Sequence, residues 1–347
     1  MKIAVVASSE TAGGAEQYLY RLYAELRKSY GIQPYLVGSL PHWPESLGPV
    51  IAAGITPKLT RREPMIRQGI RSVSSLRSTL RALDELGPDL VHVQYFKEKL
   101  MLPRILQRKG VPVVWTEHGP VPDSLPRAAR TIYAWQAAVS KPIGISAGVT
   151  ESLQRSGIAA VTVGNPFPDV ASANSDGVNE KIRPTVLYAG RLHKFKRVHL
   201  VLEAAAALPH VDFIVAGTGP EASNLENQAA SNVQLVGNLP NLDELYAKAD
   251  VLVIASGSAA REGCPMVMLE ARSRGIPVVM AKDCHAALEA VELGCELFEP
   301  TDAELVAAIG RALAGGRREV SDEARAGRST SHWARLHYGV MQEAVGR

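Results

Sequence analysis

Residues 185–208 read TVLYAGRLHKFKRVHLVLEAAAAL. Five β-favouring residues, Thr185–Ala189, run without polar alternation; a glycine and several cations follow, and from Val198 to Leu208 the pattern becomes helical. A continuous apolar strand that opens through a Gly/Arg/Lys loop into a helix belongs to a parallel sheet covered on both faces. The scheme recurs downstream, with strands expected at Asp212–Ala216, Val233–Val236, Val251–Ala255 and Pro277–Met280. Helices are expected near Leu242–Lys248, Met266–Arg274 and Ala303–Leu313. Upstream it appears as Ile3–Ala7, the Gly13-Gly14 turn and the amphipathic stretch Ala15–Lys28. Tyr35–Val37, Leu90–Val93, Val111–Trp115 and Pro142–Ile145 continue it, with a helix at Ile66–Leu86.

Between the two runs, Asn165–Lys181 breaks the alternation with prolines, serines, Asn174 and Gly177. The 347 residues exceed what one core usually organises. The expectation is an α/β protein of two Rossmann-like, doubly wound parallel-sheet domains facing across a cleft. The predicted boundaries are an N-terminal domain 1–164, a linker 165–182, a C-terminal domain 183–325 and a helical tail 326–347. Hydrophobic residues at 46% and charged residues at 21% exclude a disordered chain. A balance of 38 Lys+Arg against 35 Asp+Glu excludes bulk nucleic-acid binding. Cys264, Cys284 and Cys295 form no CxxC pair, so neither a disulfide framework nor a cysteine-built zinc site is expected. MKIAVVASSE reads as a buried strand rather than a signal peptide, and no run approaches the roughly 20 apolar residues of a membrane span. A soluble, cytoplasmic protein is expected.

Arg261-Glu262-Gly263-Cys264-Pro265-Met266-Val267-Met268-Leu269-Glu270 follows a strand and a Gly/Ser/Ala loop. Pro265 suits the first turn of a helix, and the free N–H groups behind it, at Met266 and Val267, form an anion site. Glu262 and Glu270 bracket that helix end, and carboxylates accept hydrogen bonds from hydroxyls. A phosphate flanked by polyols, as in a sugar nucleotide, fits; a capped helix with two solvated glutamates is the structural alternative. After Gly190, Arg191 can fork onto phosphate oxygens while Lys196 supplies a compact charge. Lys194 and Arg197 read instead as the solvated start of a helix. Gly217-Thr218-Gly219-Pro220 is a tight turn rather than a dinucleotide fingerprint. In the first half, Gly13 and Gly14 permit close backbone approach to a ligand, and His118 stands at a strand end before Gly119. His92 reads as a core residue and Gln94 as its cleft-side neighbour.

The ordered set GGAEQYLYRL, DLVHVQ, TEHG, GRLHKFK, VAGTGP, REGCPMVMLEA and SRGIPVV, with Trp333 and Tyr338 in the tail, spans nearly the whole chain. It resembles the retaining, two-Rossmann-domain (GT-B) sugar-nucleotide glycosyltransferases, specifically glycosyltransferase family 4. The resemblance implies that Arg191 and Lys196 hold the donor diphosphate and neutralise the charge that grows on it. It implies that Glu270 binds the ribose, Glu262 the donor sugar, and the backbone at Met266 and Val267 the sugar or diphosphate. Gly14 would approach the diphosphate, His118 the sugar, and Asn238 and Leu239 the base, while the tail would return to the first domain. No metal or other cofactor is implied; UDP is the default nucleotide, and the acceptor is a glycan, a lipid-linked molecule or a small molecule.

Three departures from the family pattern stand out. Gln94 replaces a second histidine, Arg197 a glycine, and Cys264 a larger apolar residue. Lys58, Arg61, Arg62, Arg67, Arg71, Arg77 and Arg81 are opposed only by Glu63, beside the apolar stripe Ile66, Ile70, Val73, Leu76, Leu80 and Leu83. The favoured interpretation is a sheet-packed helix with a solvated basic face. The sharper one is peripheral contact at the inner membrane face, with anionic lipid or a phosphorylated acceptor. Two rival functions share the fold, a sugar-nucleotide 2-epimerase and a catalytically silent donor-binding subunit.

Overall fold

The computed structural model describes residues 1–10, 13–53, 65–168 and 183–346, with the backbone alone for 65–72. Seven parallel strands make one sheet: β1 (Lys2–Ser8), β2 (Gln33–Ser39), β3 (Val50–Ile51), β4 (Leu90–Val93), β5 (Val113–Glu117), β6 (Lys141–Gly144) and β7 (Val161–Thr162). Six make a second: β8 (Thr185–Ala189), β9 (Asp212–Ala216), β10 (Val233–Gly237), β11 (Val251–Ile254), β12 (Val278–Ala281) and β13 (Glu296–Phe298). Their orders, β3-β2-β1-β4-β5-β6-β7 and β10-β9-β8-β11-β12-β13, follow one scheme. In each, the chain works outward from a central strand, then returns to pair on that strand's other side. The reversal leaves a crevice at the carboxyl ends of β1 and β4, and of β8 and β11, where such sheets bind ligands.

The expected strands and helices are present with ends moved by a residue or two, and Thr185–Ala189, Asp212–Ala216 and Leu90–Val93 are unchanged. Central strands such as β4 and β11 are buried throughout because helices cover both faces, which is why they lack polar alternation. β3, β7 and β13 were not anticipated. They are two or three residues long and lie at sheet edges, where burial imposes no apolar run.

The chain divides into two compact units, Met1–Ile145 with Val149–Gly164 and Thr330–Arg347, and Ser146–Gly148 with Asn165–Ser329. The second unit runs to Ser329, beyond the 325 expected from sequence. Of the anticipated linker, residues 169–182 lie outside the described residues, whereas Asn165 and Phe167 are buried in the second unit.

The helix Thr330–Ala344 belongs to the first unit and packs on Gly14–Tyr30. Trp333 meets the Tyr18 ring edge-on at 4.9 Å, the Tyr18 hydroxyl and His337 Nε2 are 2.7 Å apart, and Tyr338 stacks on Tyr30 at 4.1 Å. Aromatic contacts of this kind add about 0.5–1.5 kcal/mol each beyond area burial.

The basic helix spans Met65–Leu86. Its buried side is Ser75, Thr79, Ala82 and Leu83, while Val73 is 49% exposed. The anticipated stripe is therefore rotated over this stretch, because small polar residues at helical spacing fit the packed face. Arg77 and Arg81 are exposed; Lys58, Arg61, Arg62 and Glu63, and the side chains of Arg67 and Arg71, lie outside the described residues.

Candidate functional site

In the second unit, the loops leaving β8, β9 and β11 carry most of the predicted residues. The first two continue the parallel ladder past the strands. Gly190 N–H donates to Ala216 O at 2.9 Å, Leu192 N–H to Thr218 O at 2.9 Å, and Gly217 N–H to Gly237 O at 2.7 Å. Gly217 has φ 137°, and a Cβ there would overlap the Gly190 carbonyl. Glycine is thus required by close loop packing. Arg191, at the end of this ladder, is exposed, and no side chain among the described residues engages its guanidinium.

A 3₁₀ turn, Lys194–Lys196, follows, then Arg197 at φ 50° opens the helix Val198–Ala207. The positive φ gives a physical reason for a glycine at this position. Arg197 occupies it with its guanidinium forked onto Asp283, at 2.9 and 2.7 Å. This corrects the expectation of a solvated Arg197; its guanidinium also lies where a Cβ on Gly257 would fall. Lys194 is exposed as expected, its ammonium over the Phe195 ring. Gly257 N–H donates to Phe195 O at 3.1 Å and so ties this turn to a second one, Ser258–Ala260.

That second turn ends at Arg261, with φ 54°, and delivers Glu262 to Lys196. The ammonium and carboxylate form an ion pair, and Ser256 donates to the same carboxylate oxygen at 3.1 Å. Burial holds the Lys196 ammonium below its usual pKa, with Cys284 acting in the opposite direction. Pro265 is the N-cap rather than the first helical residue of Met266–Ser273. Its carbonyl accepts from Met268 N–H at 3.0 Å, leaving the N–H groups of Met266 and Val267 without acceptors among the described residues. Gly263 is fixed through its carbonyl, which accepts from Ser146 Oγ at 2.7 Å; Cys264 is buried, and burial raises its thiol pKa.

Glu270 sits one turn into this helix and accepts from the Tyr246 hydroxyl at 2.6 Å. Arg274 lies over the Tyr246 ring, its guanidinium carbon 4.7 Å from the ring centre. Arg274 also donates to Glu270 O at 2.9 Å and pairs with Asp243. Asn238 and Leu239 are exposed just past β10. Tyr246, Ser256 and Arg274 were missed from sequence; nothing about a lone Tyr in a short helix or a Ser in a loop distinguishes it before folding.

In the first unit, Gly13 caps the helix Gly14–Tyr30, and its N–H donates to Glu16 Oε2 at 2.8 Å. The other Glu16 oxygen accepts from Tyr95. Space is open where a Cβ on Gly14 would lie, so packing does not demand a glycine there. Gln94 donates to Ala15 O at 2.8 Å, and its Oε1 is enclosed with no partner among the described residues. His92 lies in the core between the Tyr23 hydroxyl at 2.8 Å and Thr116 at 2.9 Å. His118 stands just past β5, edge-on to Tyr18 at 4.8 Å, with an enclosed Nε2. Burial, then the charge of Lys99 and then His92, lower its pKa to about 3, so the ring is neutral. Lys99 itself is buried and paired with Glu117 at 2.9 Å.

Two family models match the chain, "Glycosyltransferase Family 4" over residues 12–171 and "Glycosyl transferases group 1" over residues 183–315. Both models describe glycosyltransferases, each over less than half of the chain and together over most of it. Among curated relatives it is 28% identical to the Escherichia coli O-antigen biosynthesis glycosyltransferase WbnH over 147 residues, 42% of this chain and 41% of WbnH. It thus spans well under half the length of that relative. Among solved structures, the lipopolysaccharide outer core galactosyltransferase WaaB superposes with TM-score 0.77 at 18% identity, covering 99% of both chains. The Anabaena protein HepE, in complex with UDP, superposes with TM-score 0.74 at 19% identity, covering all of this chain and 99% of HepE.

The shared fold is GT-B, two parallel-sheet α/β domains. The loops leaving β8 and β11 carry Arg191, Lys196, Glu262 and the helix N–H groups of Met266 and Val267 at the carboxyl end of one sheet, with Glu270 one turn further on. Such a set can receive a diphosphate with hydroxyl-bearing groups on either side. Among the described residues, no group of three or more His, Cys, Asp or Glu could hold a metal ion, and no helix is long and apolar enough to cross a membrane.

Proposed function

We propose that the protein transfers a sugar, with retention of anomeric configuration, from a nucleoside-diphosphate sugar of the UDP class to a hydroxyl-bearing acceptor. The observation that carries this reading is the Lys196–Glu262 pair, on loops that also carry Arg191 and the N–H groups of Met266 and Val267, which no described residue engages. The UDP-bound state of HepE and the sugar-transferring relatives support the donor class.

The anomeric carbon–oxygen bond to phosphate breaks as the acceptor oxygen bonds to that carbon, and the acceptor's proton passes to the departing phosphate. Lys196 and Arg191 meet the negative charge gathering on the diphosphate, and no metal is required for that neutralisation. Met266 and Val267 N–H groups contact the sugar or diphosphate, within a loop shaped by Gly190, Gly217, Gly263, Cys264 and Pro265. Glu262 binds sugar hydroxyls, Glu270 the ribose, and Asn238 and Leu239 flank the base. Gly13 and Gly14 approach the diphosphate and His118 the sugar, on the family resemblance; with its ring neutral, His118 serves as a hydrogen-bonding group rather than a cation.

Titration of UDP into the protein, followed by incubation of UDP-sugars with candidate acceptors, tests the proposal. Acceptor-dependent release of UDP with an axial product from an axial donor supports it. An epimerised donor, an inverted product, or no heat with any nucleotide overturns it.

A further inference from the structure

A second cluster of cations lies at the opposite edge of the second sheet, where β12 and β13 begin. There a cavity of about 310 Å³ is lined by Arg272, Gly294, Cys295, Glu296, Arg311 and Arg318, among others. Arg272 is buried, 6% exposed, yet pairs with no carboxylate among the described residues. Its Nε donates to Leu293 O at 2.9 Å and its Nη1 to Ile276 O at 3.3 Å; its Nη2 takes no protein acceptor among the described residues. Arg318 is exposed on the same cavity, and its guanidinium likewise has no acid partner among them.

Only Glu296 brings negative charge to this lining, and it is paired with Arg311. Two further cations are therefore left without a counter-charge, among the described residues, around one half-open cavity. Their proximity is consistent with the lowered pKa of Arg272, which burial causes in the main, with Cys295 opposing and Arg318 adding to it. Local helix-end carbonyls are already taken: Gly275 N–H donates to Arg272 O and Gly316 N–H to Ala312 O, at 2.9 and 3.1 Å. They do not use up the guanidinium groups.

We propose that this cavity binds a phosphate dianion, free or carried on a small organic molecule. Two guanidinium groups without an acid partner match a doubly charged oxyanion in charge, Arg318 offering its whole fork and Arg272 its Nη2. The site is separate from the donor loops, which lie at the carboxyl ends of β8 and β11, although the helix Met266–Ser273 reaches from one to the other.

The test is thermal unfolding of the full chain with inorganic phosphate, and separately glycerol 3-phosphate, at constant ionic strength set by chloride. Phosphate at a few times its Kd is expected to raise Tm by about 2–4 °C. The rise should persist in Lys196→Ala and disappear in Arg318→Gln, an exposed position whose replacement spares the fold. A stronger response to glycerol 3-phosphate would identify the organic phosphate as the occupant, and an equal one free phosphate. No shift in the wild type overturns the proposal. So does a shift that survives Arg318→Gln but is lost in Lys196→Ala, which would place the anion at the donor loops.

Discussion

At the scale of single residues, the donor loops hold their charges in check through each other. Lys196 is neutralised by Glu262, so on the proposed function an incoming diphosphate competes with a carboxylate already in place. If Lys196 meets charge that develops during transfer, Lys196→Ala lowers kcat by about 10²–10³ with a smaller change in donor KM. Steady-state kinetics at saturating donor check this, and an unchanged kcat removes its assigned role. Tyr246 holds one Glu270 carboxylate oxygen, and on the proposed function the other is left for a ribose hydroxyl. Loss of a hydrogen bond to a charged group costs about 1.5–3 kcal/mol, so Tyr246→Phe weakens UDP roughly tenfold or more. It also narrows the preference for UDP over 2′-deoxy-UDP; calorimetry with the two nucleotides reads both effects, and equal affinities in wild type and variant refute the arrangement.

At the scale of elements, the loop after β9 can approach the loop after β8 only because neither carries a side chain at the crossing. Gly217→Ala would add strain at φ 137° and a clash with the Gly190 carbonyl. The expected result is a lower Tm together with weaker donor binding, since the displaced loop carries Arg191; an unchanged Tm would show that the loops separate freely. The helix Thr330–Ala344 is held largely by aromatic packing, with Trp333 only 1% exposed. Trp333→Ala is expected to cost about 3–5 kcal/mol, measured by urea unfolding. The central strands were legible because burial on both faces forces an apolar run on β4, β8 and β11. The edge strands β3, β7 and β13 were not, since pairing on one side demands only two or three residues of backbone. Over residues 73–86 the buried side of the helix was legible only in part: Leu83 is buried as expected, but Val73 is exposed, and Ser75 and Thr79, excluded from any hydrophobic stripe, fill the packed face.

At the scale of the whole molecule, pH acts through three histidines of the first unit, His92 and His337 fully buried and His118 half-buried with an enclosed Nε2. His92 has a pKa of about 3 and His337 lies well below the usual value, in both cases chiefly through burial, and His118 is also near 3. The unfolded chain protonates these rings near pH 6.5, whereas the folded protein resists until much lower pH. Unfolding therefore takes up protons in between, and stability is lost as pH falls from about 6.5 toward 3. His92 and His337 alone give a slope of about 2.7 kcal/mol per pH unit once both titrate in the unfolded state. Urea midpoints at pH 7, 6, 5 and 4.5 check the slope, and His337→Gln should reduce proton uptake by about one; a flat profile contradicts the burial of neutral rings.

Local patterning was enough to specify two successive runs of parallel strand and helix, and the cations and carboxylates available at their ends. Those properties depend on nearest neighbours along the chain: apolar runs where two faces are buried, glycines where loops cross, N–H groups left over where a helix begins. Which side chain completes which group was decided by tertiary structure alone. Arg197 meets Asp283, Tyr246 meets Glu270, and Arg272 shares a cavity with Arg318, each pair brought together across 86, 24 and 46 positions of chain. Partners so far apart have no shared periodicity, and their contact follows only from the order in which strands assemble into a sheet.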